Sequence, residues 1–383
     1  MLVKKISYYD KFKCLMGECP QSCCKGWRIP LDDKAIRRFR NEKGLWGLRL
    51  RAAMHGKVQP SFSPYCFRCP FLRLDGRCGM QLKKGEEYLA DICRTYPRIK
   101  FCPGSYTELQ LDLSCVHVAE LFLKYRDEQF FVEEESPEEY EQTGDNDDPE
   151  YLAALEKSRE SLLTVIADAA KEGDAATLEE ALRNAAAYAY TVQDKMMREG
   201  VSEAEALQNG FELSEDTEWL PRLFPLPIAV LNQFMSTDFY QEGMQYVLPL
   251  LYKLCRMYYK RFDKLSYEDG EKEWQRLFAK YIEGREESVR MYASYYQSHL
   301  LRTYMECYED YSFFKHVMDG VIGMNMIMLF EVLWREKNKG IDEGELAKII
   351  SVCERRVYHN EVVEKELMKM FMKEKRNDTA RNP

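Results

Sequence analysis

Long apolar runs are scarce in this 383-residue chain, and its opening residues hold none. Met1-Leu2-Val3-Lys4-Lys5-Ile6-Ser7-Tyr8-Tyr9-Asp10 is interrupted by charge and tyrosine before the apolar core of a secretory leader can form, so a cytoplasmic location is expected. The most apolar stretch, Val317 to Trp334, carries Asp319, Asn325 and Glu331, which are costly in lipid. It reads as a buried helix with a polar edge, and no membrane span is expected. Positive charge is not in excess either: the formal net charge of -9 disfavours a general nucleic-acid binder and suits a basic partner. A glycine-rich GxGxxG turn is missing, as is the strand–helix alternation that would carry one, which excludes the usual dinucleotide-binding fold. Nothing repeats at a fixed period, so a solenoid is not supported.

Cysteine, by contrast, is abundant and unevenly placed. Of the 13 cysteines, Cys14, Cys19, Cys23, Cys24, Cys66, Cys69, Cys78, Cys93, Cys102 and Cys115 precede residue 116, and only Cys255, Cys307 and Cys353 follow. Cytosolic thiols are kept reduced, so a dense group there points to metal binding or chemistry; a disulfide framework is the alternative, disfavoured by the missing leader and the odd count. Thiolates are soft, anionic donors that suit zinc and iron–sulfur clusters when several converge. Cys14-x4-Cys19-x3-Cys23-Cys24 places four thiols within eleven residues, and Cys66-x2-Cys69-x8-Cys78 is a second, knuckle-like group. By spacing alone, zinc and iron–sulfur are both open. Two other readings are excluded. The C-x3-C-x2-C triad of radical enzymes fails because Gly26 stands where its third cysteine should be, and a c-type haem site fails because Cys66-Phe67-Arg68-Cys69 is followed by Pro70.

The remaining pattern predicts a mainly α protein: a Cys-rich, metal-stapled N-terminal module over 1–126, with short helices and little strand, packed on an all-helical domain over 149–383. Between them, 127–148 is acidic, with Glu133-Glu134-Glu135 and Asp145-Asn146-Asp147-Asp148 around Pro137 and Gly144, and reads as a solvated linker or an acidic surface for a lysine-bearing substrate. Asp32-Asp33 predicts a capped helix start, Gly85 to Cys93 a short helix, Leu109, Leu111 and Leu113 a weak strand, and Val116 to Tyr125 a helix. Apolar periodicity then predicts helices from Pro149 onward, with Gly200, Gly284 and Gly340 as stops, an apolar face from Met244 and Val247 to Phe262, and a last helix over Asp342 to Lys373 before a frayed polar tail.

Several blocks carry a family resemblance. Phe12-Lys13-Cys14 to Cys19-Pro20-Gln21-Ser22-Cys23-Cys24-Lys25-Gly26-Trp27, Cys69-Pro70-Phe71-Leu72 through Cys78, Gly85-Glu86-Glu87-Tyr88-Leu89, Cys93-Arg94-Thr95-Tyr96-Pro97-Arg98 and Leu111-Asp112-Leu113-Ser114-Cys115 resemble, in order, the flagellin lysine N-methylases. The double cysteine and Cys-Arg-x-Tyr-Pro also resemble the wider CxxxCxxCC group of iron- or zinc-chelating proteins. The first resemblance implies methyl transfer from S-adenosylmethionine to lysine ε-amines of flagellin, with a [4Fe–4S] cluster bound by the N-terminal cysteines. It marks Cys14, Cys19, Cys23, Cys24, Cys69, Cys78, Cys93 and Cys115, and leaves Cys66 and Cys102 as ordinary thiols. A [4Fe–4S] cluster takes four thiolates, so eight candidates serve two sites or include structural members. The wider resemblance implies instead a non-catalytic interaction protein with zinc as the alternative metal.

Methyl transfer to an amine needs a neutral nucleophile aligned with the sulfonium methyl in a desolvated pocket. Tyr292, Tyr295, Tyr296 and His299 are candidates for contact with an ammonium or its proton, against a reading as core aromatics at helical spacing. Arg94 and Arg98 are candidates for the cofactor carboxylate, against a reading as salt bridges. His117, beside Cys115, is a candidate metal ligand.

Overall fold

The leucine alternation near residue 110 does form a strand, and that strand sits inside a sheet more extensive than the sequence pattern suggests. The computed structural model describes residues 1–26, 29–57, 60–62, 68–137, 140–207, 217–236 and 248–357. Trp27, Cys66, Met244, Val247, the part of the last expected helix after Val357 and the polar tail lie outside the described residues. The strands are β1 (Leu2–Ile6), β2 (Ile29–Pro30), β3 (Ser61–Phe62), β4 (Arg98–Phe101), β5 (Tyr106–Leu111) and β6 (Phe131–Glu135). Four of them form a sheet in the order β4-β5-β1-β6, in which β1 runs parallel to β5 with Leu2 opposite Tyr106, while β6 is antiparallel to β1 with Val3 opposite Glu134. β2 and β3 form a separate pair.

β6 lies within the stretch expected to be a linker. An edge strand needs only one partner for its backbone groups, so an acidic sequence can occupy it, and charge on an edge discourages further pairing. Lys5 on β1 meets Glu134 at 2.5 Å across this edge. Farther along, Glu309 accepts from the Asp145 and Asn146 amides, and the Asp148 amide donates to the Tyr308 hydroxyl at 2.8 Å, which anchors the acidic stretch to the helices.

The first helices are short: α1 (Asp33–Asn41), α2 (Gly44–Ala53), α3 (Gly79–Lys84), α4 (Asp91–Thr95) and α5 (Val116–Tyr125). Asp32 caps α1 by accepting from the Ala35 amide at 2.7 Å, and its other oxygen accepts from the Asp91 amide, which fixes the start of α4. Beyond them the protein is helical: α6 (Pro149–Glu172), α7 (Ala175–Asp194), α8 (Glu203–Leu207), α9 (Ile228–Ser236), α10 (Pro249–Phe262), α11 (Tyr267–Tyr281), α12 (Glu286–Thr303), α13 (Cys307–Asp310), α14 (Phe313–Asn338) and α15 (Glu343–Val357). Asp148, Asp174 and Ser266 cap α6, α7 and α11, as short polar side chains do where the first turn leaves amides unpaired.

α14 is the axis of the bundle and packs against α7, α12 and α15. It is the one helix, among the described residues, long and apolar enough to cross a membrane, and it is buried inside the fold. Its polar edge is fully engaged: Asn325 accepts from the Leu226 amide and donates to Leu223 O, Glu331 receives Tyr292 and Arg335, and Asp319 pairs with Lys315. Buried polar groups need such partners, so these residues fix the register of α14 against its neighbours.

The first 126 residues divide between two hydrophobic cores. Ile6, Tyr8, Phe12, Tyr106, Leu111, Val118 and Phe122 join the large core of the bundle. A small core gathers Ile29, Leu31, Phe39, Leu50, Phe62, Phe71, Met80 and Leu89.

Candidate metal centre

Four chain segments deliver the cysteines. Cys14 and Cys19 flank a single 3-10 turn at Met16–Glu18, and Cys23 and Cys24 follow. Cys69 and Cys78 stand on the two arms of a hairpin, in which Leu72 pairs with Cys78 and Asp75 holds the turn through Arg73 and Arg77. Cys93 rides on α4, and Cys115 is the N-cap of α5.

Backbone contacts join these segments. The Cys69 amide donates to Cys24 O at 2.8 Å, and Lys25 bridges Arg68. Gly17 meets the hairpin turn so closely that a Cβ on it would lie 2.9 Å from Asp75 O, and one on Gly76, which has φ +77°, would lie 2.8 Å from Gly17 O. Glycine is required at both positions, because a side chain on either would push the first cysteine loop off the hairpin.

The eight thiols consequently form one continuous patch. Cys23 and Cys24 are within hydrogen-bonding reach of each other, as are Cys24 and Cys69; Cys78 is within electrostatic range of Cys24 and Cys93, Cys93 of Cys23, and Cys19 of Cys14, Cys23 and Cys115. No disulfide joins the described cysteines to one another.

The patch straddles the seam between the two cores. Cys19 and Cys115 pack against the large core, whereas Cys69 belongs to the small core and Cys24 and Cys78 pack against it.

Crowding makes the bare patch reluctant to ionise. Contact with Cys24, then burial, raises the Cys23 thiol well above its ordinary range. Cys24 is pushed up to about 12: its hydrogen bond with Cys23 acts to lower it, but that with Cys69, together with burial, prevails. Burial pushes Cys115 up to about 12, and the amides at the start of α5 act against it. Cys93 reaches the surface, yet protein packed around its thiol also pushes it up to about 12, with Cys23, Cys78 and Asp32 contributing. A bound cation reverses this balance, because it stabilises the thiolates that mutual repulsion disfavours.

One cation is already built in. Arg355, on α15 and buried, donates to Gln21 O at 2.7 Å, Ser22 O at 3.2 Å, Lys25 O at 3.3 Å and Ser114 O at 2.8 Å. Its charge favours the thiolates of Cys19, Cys23 and Cys115. Ser351 donates to the same Ser114 carbonyl, and Gln21 reaches Lys348 O, so α15 holds both the first cysteine loop and the Cys115 loop. The neighbouring Glu354 pairs with Arg302 at 3.2 Å and receives the Tyr295 hydroxyl, and Arg302 also faces Asp112 at 3.9 Å. Sequence reading missed Arg355 and Glu354. Their signal is two buried charges within an apolar helical run, which becomes informative only when a partner loop is known.

The other candidates are placed elsewhere. Tyr292, Tyr295, Tyr296 and His299 are buried on α12 with protein partners: Glu331, Glu354, Val317 O and His316 O. They form core packing, not an open aromatic cage. Arg94 pairs with Asp91 at 2.9 Å and Glu87 at 3.5 Å, while Arg98 lies over the Phe12 ring and bonds the Tyr9 phenol. His117 faces Glu120 at 2.9 Å and the Phe12 ring. Cys102 is buried with its thiol towards Tyr140 O, and Cys255, Cys307 and Cys353 are buried in the large core.

Similarity to known proteins covers part of the chain. The lysine-N-methylase of Salmonella typhimurium (strain LT2) is 26% identical over 133 residues, which is 32% of this chain and 32% of that protein. The lysine-N-methylase of Salmonella choleraesuis (strain SC-B67) matches to the same extent. The flagellar biosynthetic protein FliU of Salmonella muenchen is 25% identical over 145 residues, 35% of this chain and 84% of that protein. The matched stretch thus spans about a third of the length of the two methylases. No family model and no solved structure matches the chain.

Proposed function

We propose that this protein is a cytoplasmic protein-lysine N-methyltransferase that acts on flagellin, takes its methyl group from S-adenosylmethionine and holds a [4Fe–4S] cluster on its N-terminal cysteines. The observation that carries this reading is the convergence of eight thiols from four separate segments, in a chain similar over a third of its length to lysine-N-methylases. The patch fits the group. Its donors are all soft thiols, and Arg355 supplies positive charge against an anionic, thiolate-bound centre.

A bound [4Fe–4S] cluster supplies electron transfer or an open iron position. The chain supplies the rest. Four of Cys14, Cys19, Cys23, Cys24, Cys69, Cys78, Cys93 and Cys115 would give up protons to hold the cluster, and the glycine contact between Gly17 and Gly76 holds the first loop in place. Cys14 reaches solvent at the edge of the patch. The net charge of -9 and the acidic edge strand Phe131–Glu135 favour the approach of a lysine-bearing protein segment.

The decisive experiment purifies the protein anaerobically, assays iron and sulfide, and incubates it with flagellin and S-adenosylmethionine. Brown protein containing iron and sulfide, with methyl additions on flagellin lysines in the mass spectrum, is expected. Colourless protein with stoichiometric zinc and no effect on flagellin sinks the proposal and leaves the non-catalytic, zinc-binding reading.

A further inference from the structure

We infer that Cys307, Asp310 and His316 form a second metal site, separate from the N-terminal thiols and suited to zinc. A thiol, a carboxylate and an imidazole converge there, and their donor atoms all lie within 4.8 Å of one another. The local fold explains why. Cys307 opens α13 and Asp310 ends it, three residues apart on one turn and therefore on one side of it. Tyr311 then adopts the left-handed conformation, φ 56°, which reverses the chain and brings the first turn of α14, with His316, back over both.

His316 points to a ligand independently of this convergence. It is fully buried, its Nε2 meets Asp310 Oδ2 at 2.9 Å, and its Nδ1 has no hydrogen-bonding partner. A buried ring nitrogen without a partner is costly, and a metal bound to it relieves that cost. Asp310 is held ready, because its Oδ1 accepts from the Ser312 amide at 2.9 Å while Oδ2 faces the histidine. The Cys307 thiol is kept protonated by burial and by the nearby Asp310 and Glu306 charges, with Lys315 acting against them, so an incoming cation displaces a proton there. Lys315 itself is drawn away to Asp319 at 3.2 Å.

One sulfur, one nitrogen and one oxygen are the donor types of zinc, whereas calcium and magnesium take oxygen shells. Three protein ligands leave a fourth position free. Asp310, whose side chain is 41% exposed, is the entry point, and it borders a cavity of about 350 Å³ that Phe101, Met305, Glu306 and Glu309 also line. Water completes the coordination from that side. The site makes no use of the iron–sulfur reading.

The test loads full-length protein with zinc, and in parallel with cadmium-113. Wild-type protein is expected to bind one more zinc ion per chain than Asp310→Ala, a variant at an exposed side chain whose folding is checked by circular dichroism. Its cadmium spectrum should contain a resonance upfield of the all-thiolate signals that vanishes in Asp310→Ala and is replaced in Asp310→Cys by one shifted downfield, as a second thiolate donor requires. Equal stoichiometry and superimposable spectra for wild type and Asp310→Ala would assign all bound metal to the N-terminal cysteines and overturn the inference.

Discussion

A cysteine becomes a good ligand only after it loses a proton, and the residues around the patch oppose that loss until a metal arrives. In the metal-free protein Cys24, Cys93 and Cys115 are pushed up to about 12, against about 8.5 in an unfolded chain. The folded state therefore holds these protons more tightly than the unfolded one. Their contribution to stability is intact below about pH 8.5 and is lost as pH rises from there towards 12. Thermal melts of metal-free protein should show a falling midpoint over that alkaline window, and iodoacetamide should label these three positions slowly at neutral pH. Fast labelling of Cys93 and Cys115 at pH 7 would contradict the environment described here. At this scale the sequence shows where the thiols cluster, and the resemblance singles out eight of them as candidates. Their ionisation was illegible, since it depends on which sulfur lies beside which.

Among the elements, α15 has the most consequence for the site. It is amphipathic, but its buried face carries Ser351, Glu354 and Arg355 alongside Ile349, Ile350 and Val352. Those polar residues clamp the loops that present Cys19, Cys23 and Cys115, from as far as 334 residues away along the chain. Arg355→Met keeps the bulk of the side chain but removes the guanidinium donor from the Gln21, Ser22 and Lys25 carbonyls and leaves the Ser114 carbonyl with Ser351 alone, at a cost of about 3 kcal/mol. Lower thermal stability is expected, together with faster metal loss to a chelator. Arg355→Lys, which retains the charge without the planar fork, should recover part of both. Unchanged metal retention in Arg355→Met would show that the clamp does not support the patch. Other elements were plain from the sequence: α14 announces itself by an apolar run with spaced polar residues, α1 by its Asp32 cap, and the helices after Pro149 by their apolar periodicity. β6 was hidden. Its pairing with β1 is driven by backbone hydrogen bonds, to which an acidic composition gives no clue.

Across the whole molecule, the cysteine patch is a staple between a large helical core and a small one. The small core draws on residues between Ile29 and Ala90 and has little apolar area of its own, so it depends on attachment. Removing the metal should therefore loosen residues 29–53 and 68–90 more than α12 or α14, and hydrogen exchange before and after chelation measures this. Uniform loss of protection across both cores would refute the staple. The sequence by itself determined the mainly helical class, the buried central helix and the Asp32 helix cap. Each of these rests on local spacing, charge or periodicity, which a linear pattern records. Only the tertiary structure decided that the N-terminal residues serve two cores, that the tyrosines of α12 are core packing, and that Arg355 completes the thiol patch. It alone brought Cys307, Asp310 and His316 together as well. Contacts of this kind follow from how elements dock, and docking is set by burial and the pairing of polar groups between segments distant in sequence.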